Sequence, residues 1–367
     1  MKKLKFSWLF LILSFSNAFA LTSAPQAIVY DMQSKQVLLD KDSSRKMYPA
    51  SMTKILTAYI VFDSIKSGNI TMDTKFRISN KSWKKGGSKM FLRQGSLVSV
   101  KNLIYGLIIQ SGNDAAITLA EGISGTEENF ARLMNSYAKK LGMNNTNFVN
   151  SSGWPDKKHY TTNKDLVKLS VRLIRDFPEY YHIWAIKSFT YNKRKQFNRN
   201  PLLYKNIGAD GLKTGHTEIS GYGLVASVKK NDRRLIIILN GMRSKRERSR
   251  ESFNIAQEFL FNYKNKSVLK VGQVLGKVPV HMGTVKEIPI ISKNNSIVSI
   301  KINSPDFVQL KLIYQSPLIA PIKKGQQIGV VKILQKGQKD KIVPVYAGAD
   351  ADKMGLINRM IYNIKKF

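Results

Sequence analysis

Ser51-Met52-Thr53-Lys54 opens a strongly apolar helical run, and this one segment constrains both the core and the chemistry. Pro49 precedes it, and Ile55, Leu56, Tyr59, Ile60 and Phe62 follow. This is a helix start with an apolar stripe that has to be buried. Residues three apart share a helix face, so Ser51 Oγ and Lys54 Nζ can meet at the start of a buried helix. The first turn of that helix also directs unpaired backbone N–H groups toward whatever lies in front of Ser51.

Ser-x-x-Lys alone carries little information in a chain this rich in lysine. It starts at Ser43, Ser51, Ser82, Ser136, Ser227 and Ser267. Ser136 falls in the middle of a helical pattern, where the pair is a solvated face. Ser43, Ser82, Ser227 and Ser267 read as polar, lysine-rich turns. Ser-x-Asn is also repeated, at Ser67, Ser111, Ser252 and Ser292. Only Ser111-Gly112-Asn113 ends an apolar helical run, Leu103 to Ile109, and leads into another at Ala115. Lys-Thr-Gly occurs once, at Lys213-Thr214-Gly215.

The N-terminus carries Lys2, Lys3 and Lys5, then an apolar run from Phe6 to Phe15, then Ala18-Phe19-Ala20. That layout predicts a signal peptide over 1–20, with export and a mature start near Leu21; the apolar run is short for a membrane anchor. There are no cysteines, which excludes disulfides, a thiol nucleophile and thiolate metal ligands. The formal net charge is +36. Export argues against a nucleic-acid partner, and the lysines are spread rather than clustered. An anionic membrane surface or wall polymer fits such a field, and so does a compositional drift toward Lys, Asn and Ile.

Alternation from Ala27 to Leu39 predicts strand, turn and strand. Helices are expected over Phe130–Leu141, Asp165–Asp176 and Glu251–Tyr263. Strands are expected around Lys213-Thr214-Gly215, over Tyr222–Val228 and over Leu235–Leu239. Short strands follow at 278–280, 287–291, 297–302 and 308–314, a β-rich module distinct from what precedes it. In the last 17 residues Met354, Ile357, Met360, Ile361, Ile364 and Phe367 share one helical face, with lysine, arginine and asparagine elsewhere. The segment is too short and charged to span a bilayer and suits a helix lying on an anionic membrane surface. The division expected is therefore 1–20, 21–262, 263–350 and 351–367.

Taken in order, Tyr48-Pro49-Ala50-Ser51-Met52-Thr53-Lys54, Ser111-Gly112-Asn113-Asp114-Ala115 and Asp210-Gly211-Leu212-Lys213-Thr214-Gly215-His216-Thr217 resemble the three elements of penicillin-interacting serine enzymes. With Gly221-Tyr222 and Ala320-Pro321-Ile322-Lys323-Lys324-Gly325, the chain resembles the low-molecular-mass penicillin-binding proteins that are D-alanyl-D-alanine carboxypeptidases. The resemblance covers nearly the whole mature chain. It implies an α+β fold: a β-lactamase/transpeptidase-like catalytic domain with an antiparallel sheet flanked by helices, a small all-β second domain and a C-terminal amphipathic helix.

It also implies roles. Ser51 forms the acyl-enzyme, Lys54 is its base and Ser111 relays a proton to the departing D-alanine. Asn113 bonds the substrate's peptide groups, Lys213 and Thr214 bind the terminal carboxylate region, and the N–H groups of Ser51 and His216 form the oxyanion hole. The strand holding Thr214, Gly215 and His216 pairs with the extended peptide. Arg248 is the carboxylate-holding arginine, chosen among Arg243, Arg246, Arg248 and Arg250. Arg175, Asp176 and Arg199 match a loop bordering the family's site and are expected as loop-fixing ion pairs. The implied partners are peptidoglycan stem peptides and β-lactam antibiotics; no metal or cofactor is called for.

The chemistry is consistent with that reading. A serine hydroxyl needs a base, and none of His159, His182, His216 and His281 sits in a triad-like pattern. Lys54 serves if burial and a like charge, expected from Lys213, lower its pKa from about 10.4. A serine β-lactamase shares the first steps, but no Glu-x-x-x-Asn loop that would activate the second water is evident. A basic wall-binding protein without catalysis is the remaining alternative, against which the three intact motifs argue.

Overall fold

Side chains of the Gln26–Asp31 strand alternate between two cores. Ile28 faces one, and Ala27 and Val29 face the other. The Arg233–Met242 strand repeats this, with Ile236 and Ile238 on the first side and Leu235, Ile237 and Leu239 on the second. A strand apolar on both faces must be covered on both faces. The computed structural model, which describes residues 21–303, 308–358 and 360, shows how.

Five antiparallel strands form the central sheet, in the spatial order Gln36–Lys41, Gln26–Asp31, Arg233–Met242, Gly221–Lys230, Ala209–Thr217. The Lys245–Phe261 helix covers one face through Ile255, Ala256 and Phe259. A helical layer covers the other, including Lys54–Lys66, Asn113–Ser124, Glu127–Lys140 and Asn163–Asp176. The Ala209–Thr217 strand is an edge, so one row of its backbone groups has no partner strand.

The expected apolar stripe after Lys54 proves too narrow a description. Every residue from Lys54 to Phe62 is buried. A helix apolar all round is a central helix, not a surface one. Ser51 itself lies in a 3-10 turn, Ala50–Thr53, that precedes the α-helix. Three of the other Ser-x-x-Lys serines are not in turns. Ser82 is buried in the Asn80–Lys84 helix, and Ser227 and Ser267 lie in strands.

The Lys245–Phe261 helix starts six residues before the expected Glu251, because Ser244 accepts a hydrogen bond from Glu247 N and caps it. It stops before Tyr263, which begins a strand, Tyr263–Leu269, paired with Ser296–Lys301. The second domain is all β. Its six-stranded sheet runs Val308–Tyr314, Gln327–Gln335, Lys341–Ala347, Glu287–Ser292, Val274–His281, Leu318–Ile319. The second, third and sixth of these are not among the expected strands.

The two domains are clasped around Asp31. Its buried carboxylate takes Arg233 Nε at 2.6 Å and Asn265 Nδ2 at 3.2 Å, and Arg233 Nη2 reaches Ser299 Oγ at 3.0 Å. Ala351 and Lys353 still bridge to Ile322 and Gly283, so β pairing runs past the expected boundary at 350. Helix is described for Leu356–Asn358 and Met360. Residues 351–355 of the expected C-terminal helix are not helical; position 359, positions 361–367 and the expected signal peptide over 1–20 lie outside the described residues. Among the described residues, no helix is long and apolar enough to cross a membrane.

Candidate active site

The Ser51 turn packs directly on the edge strand. A Cβ on Gly215 would stand 2.7 Å from Pro49 O and 3.2 Å from Met52 Cγ, so glycine is what lets turn and strand meet. From the other side comes the loop 149–153. Gly153 has φ +81°, and a Cβ there would fall 1.7 Å from Ala50 O. Ser51 is thus held between a strand edge and a loop, each approaching through a glycine.

Lys54 Nζ is fully buried and meets three acceptors: Ser51 Oγ at 2.9 Å, Asn113 Oδ1 at 2.7 Å and Ser152 O at 2.7 Å. Burial lowers its pKa to about 7, helped by the Arg199 cation and opposed by Asp114 and Glu127. Arg199 thus joins the expected Lys213 as a like charge, since the repulsion that Lys54 exerts on Lys213 is mutual. Lys213 is equally buried. Burial, then Lys54, Arg199 and Arg248, hold its pKa well below the usual lysine range. Its one hydrogen bond is to Thr214 O at 3.3 Å.

Ser111 terminates the helical run after a π-type turn, Gly106–Gln110, and sits in the left-handed region at φ +66°. Such turns and such φ values for non-glycine residues concentrate at functional sites. Among the described residues, its Oγ is buried without a hydrogen-bond partner. Asn113, two residues on at the start of the next helix, donates from Nδ2 to Gly86 O at 2.9 Å, which aims Oδ1 at Lys54. The adjacent Asp114 carboxylate accepts from Met90 N and Leu92 N and so fixes the segment that forms the facing wall.

These residues line one cleft of about 680 Å³, with Ser51, Ser111, Asn113, Thr214, Gly215, His216, Arg199 and Arg248 on its walls. Lys54 and Lys213 lie buried behind it. His216 stacks on Tyr222 at 3.9 Å between ring centroids. Of the four candidate arginines, the structure brings in Arg248. It is buried in the first turn of its helix, faces the Tyr222 ring, and has an Nε without a partner among the described residues. Burial pushes its pKa down to about 10, so it stays charged at neutral pH. Arg243, Arg246 and Arg250 are exposed.

Arg199 is not a loop-fixing ion pair. It lies at the cleft wall and donates to Ser88 Oγ at 2.6 Å. Arg175 and Asp176 are outside the cleft, at the end of the Asn163–Asp176 helix. Asp176 takes Arg172 at 2.8 Å and Tyr59 OH at 2.5 Å, tying that helix to the central one. The i,i+4 spacing of Arg172 and Asp176 was the available signal for this pairing. Three contributors escaped the sequence reading: the Ser152 carbonyl, Trp154 and His159. A carbonyl has no side-chain signature, and His159 acts without a triad. Its Nε2 lies 2.8 Å from Thr53 Oγ1, and its Nδ1 accepts from Val149 N at 3.2 Å.

Comparison with known proteins gives the same answer as the geometry. The model of a family described as D-alanyl-D-alanine carboxypeptidase matches residues 15–243, and that of the penicillin-binding protein 5 C-terminal domain matches 263–353. The chain is 36% identical over 315 residues to D-alanyl-D-alanine carboxypeptidase DacA of Haemophilus influenzae, covering 84% of this chain and 80% of that one. Penicillin binding protein 5 from Haemophilus influenzae superposes with a TM-score of 0.78 at 34% identity, covering 90% of this chain and 98% of that one. Penicillin-Binding Protein D2 from Listeria monocytogenes, in its ampicillin-bound form, superposes with a TM-score of 0.60 at 30% identity, covering 64% and 97%. With its two domains in the same order as these models and its catalytic motifs converging on one cleft, the chain belongs to the D-alanyl-D-alanine carboxypeptidase family of serine peptidases.

Proposed function

We propose that this protein removes the terminal D-alanine from peptidoglycan stem pentapeptides through an acyl-enzyme on Ser51, and that β-lactams acylate the same oxygen. The observation that carries the reading is the 2.9 Å contact between Ser51 Oγ and a buried lysine whose pKa lies at about 7. Near neutral pH a substantial fraction of Lys54 is unprotonated and able to take the serine proton.

The peptide lies along the free edge of the Ala209–Thr217 strand, antiparallel to it, its carboxylate toward Lys213, Thr214, Arg199 and Arg248. Ser51 Oγ attacks the penultimate carbonyl as its proton passes to Lys54. The oxyanion is held by the N–H groups of Ser51 and His216. Ser111, whose hydroxyl has no competing partner among the described residues, gives its proton to the departing amine as the C–N bond breaks and takes in exchange the one that Lys54 received. Asn113 bonds the peptide on the acyl side. Water then takes the place of D-alanine, and the same groups act in reverse order to free Ser51.

The enzyme is exported and lies against the outer face of the cytoplasmic membrane, peripherally. Leu356, Ile357 and Met360 support this; they are 70% to 75% exposed on a terminal helix, the apolar face of a helix suited to lipid.

The test is release of free D-alanine from a pentapeptide by purified protein, with Ser51→Ala as control. Rapid turnover of benzylpenicillin without D-alanine release would point to a β-lactamase instead. Flotation with anionic vesicles, lost on deleting 355–367, checks the membrane contact; deletion from 351 would also remove two bridges of the β domain.

A further inference from the structure

Where the two domains meet lies a second groove, of about 510 Å³, that shares no lining residue with the catalytic cleft. One wall is the turn between the Gln26–Asp31 and Gln36–Lys41 strands of the catalytic domain, with Ser34 and Lys35. The other is the loop between the Gln327–Gln335 and Lys341–Ala347 strands of the β domain, with Lys339, and Lys341 where the second strand starts.

The groove is held open by the fold. Gln36 Nε2 donates to Gln335 Oε1 at 2.8 Å, Gln335 Nε2 to Ser299 O at 2.7 Å, and Ser299 N to Gln36 Oε1 at 2.6 Å. This closed ring of hydrogen bonds crosses from one domain to the other and sets their spacing beside the groove. The Asp31 carboxylate that clasps the domains also accepts from Gln33 N at 3.0 Å and Ser34 N at 2.9 Å, and so shapes the turn. Lys35 follows in the left-handed region at φ +58°.

Charge in the groove is unbalanced. Four lysines line it against two aspartates. Both aspartates are engaged, Asp40 with Lys164 at 3.1 Å and Asp340 with Lys332 at 2.6 Å. Among the described residues, Lys35, Lys339 and Lys341 make no ion pair. Burial, and then the Lys35 cation facing it from the other domain, lower the pKa of Lys341. Ser34 is buried in the same wall, and its hydroxyl has no hydrogen-bond partner among the described residues. A buried hydroxyl without a partner and like charges held together both disfavour the empty groove. One anion bound among them relieves both. Every cation lining the groove is a lysine. A planar carboxylate is matched best by an arginine fork, whereas the compact ammonium of lysine suits a phosphate.

We propose that this groove binds a phosphate group, held by Lys35 from one domain and by Lys339 and Lys341 from the other, with the Ser34 hydroxyl donating to one of its oxygens. The bound phosphate ties the two domains together. Nothing in this depends on the chemistry at Ser51.

Inorganic pyrophosphate is the probe, titrated calorimetrically into the purified protein at constant ionic strength. Saturable binding is expected, and at about a hundred times Kd the melting temperature should rise by a few degrees. Lys341→Gln and Lys35→Asn should each weaken binding about tenfold; asparagine tolerates the left-handed backbone at position 35. Ser34→Ala leaves the charge unchanged and should weaken binding about threefold. Lys101→Gln, which removes an exposed lysine elsewhere, should stay within about twofold of wild type. Without pyrophosphate, Lys341→Gln and Lys35→Asn should melt no lower than wild type, since each relieves the repulsion; loss of fold would move both readouts down together. Vesicles of phosphatidylglycerol, added to the pyrophosphate complex of protein lacking 355–367, separate two sources of the group: displacement of the probe assigns a lipid headgroup, and its retention a soluble phosphate. No saturable binding by the wild type would overturn the site. So would equal binding by the wild type, Lys341→Gln and Ser34→Ala, which is the behaviour of diffuse attraction to a basic protein.

Discussion

His159 Nε2 lies 2.8 Å from Thr53 Oγ1, and the histidine ring thereby splints the turn that carries Ser51 to the loop that carries Ser152. Val149 N–H can only donate, so Nδ1 is the acceptor and Nε2 bears the proton. Burial holds the pKa at about 4, so the ring stays neutral wherever the enzyme works. His159→Gln offers the same donor and acceptor in similar positions and should retain acylation. His159→Leu should slow it by about tenfold to a hundredfold, since loop and turn lose their register. Stopped-flow acylation by a chromogenic cephalosporin distinguishes the two; equal rates would remove the histidine from the argument.

The pH dependence follows from Lys54. Its folded pKa is depressed to about 7, so the reactive neutral form grows as pH rises through 7 and is lost below it. Acylation by benzylpenicillin should fall about tenfold for each pH unit below the midpoint. Lys54→Arg keeps the cation, cannot give up its proton and should abolish labelling. A rate flat between pH 5 and 8 would contradict Lys54 as base.

Lys213 contributes charge that the fold itself does not neutralise. Its depressed pKa means that its burial costs stability at all pH values below the ordinary lysine range, and that the cost fades as pH rises toward that range. Lys213→Met should raise the melting temperature by a few degrees, about 1–2 kcal/mol, while impairing turnover. A lower melting temperature would mean that its packing outweighs its charge.

Gly153→Ala places a methyl group on Ala50 O at a backbone conformation that alanine resists. The turn must move, and a loss of about 2–3 kcal/mol is expected, with acylation down by a larger factor than stability explains. Chemical denaturation and penicillin labelling on the same sample check the pair.

Asp31→Ala leaves Arg233 without its carboxylate at the junction of the two domains. About 3 kcal/mol should be lost. The melt should also resolve into two steps as the domains uncouple, visible by calorimetry.

The sequence revealed the fold wherever one periodicity ran unbroken, as from Asp165 to Asp176 or from Leu235 to Leu239. It missed Gln327–Gln335 and Lys341–Ala347. Few side chains of Gln327–Gln335 are fully buried, so alternation there is weak; in Lys341–Ala347 burial does alternate, at Val343, Val345 and Ala347, but Pro344 interrupts the strand signal. It located Ser51, Lys54, Ser111, Asn113 and Lys213 through ordered motifs. Arg199 and Asp176 were misplaced for a physical reason. Ion-pair partners are chosen in three dimensions, and Arg172, one turn away on the same helix, was the nearer partner for Asp176. Arg199 lies on a different segment, in the cleft wall, where it bonds Ser88 Oγ.

An unpaired strand edge such as that of Ala209–Thr217 invites any extended chain, including another copy of the same protein. Here the approach is flanked by Arg199, Lys213, Lys245 and Arg248. A second basic molecule is repelled from it, and a short peptide ending in a carboxylate is drawn in. On the proposed reading, the same cations that bind the terminal carboxylate also disfavour the pairing of two copies through this edge.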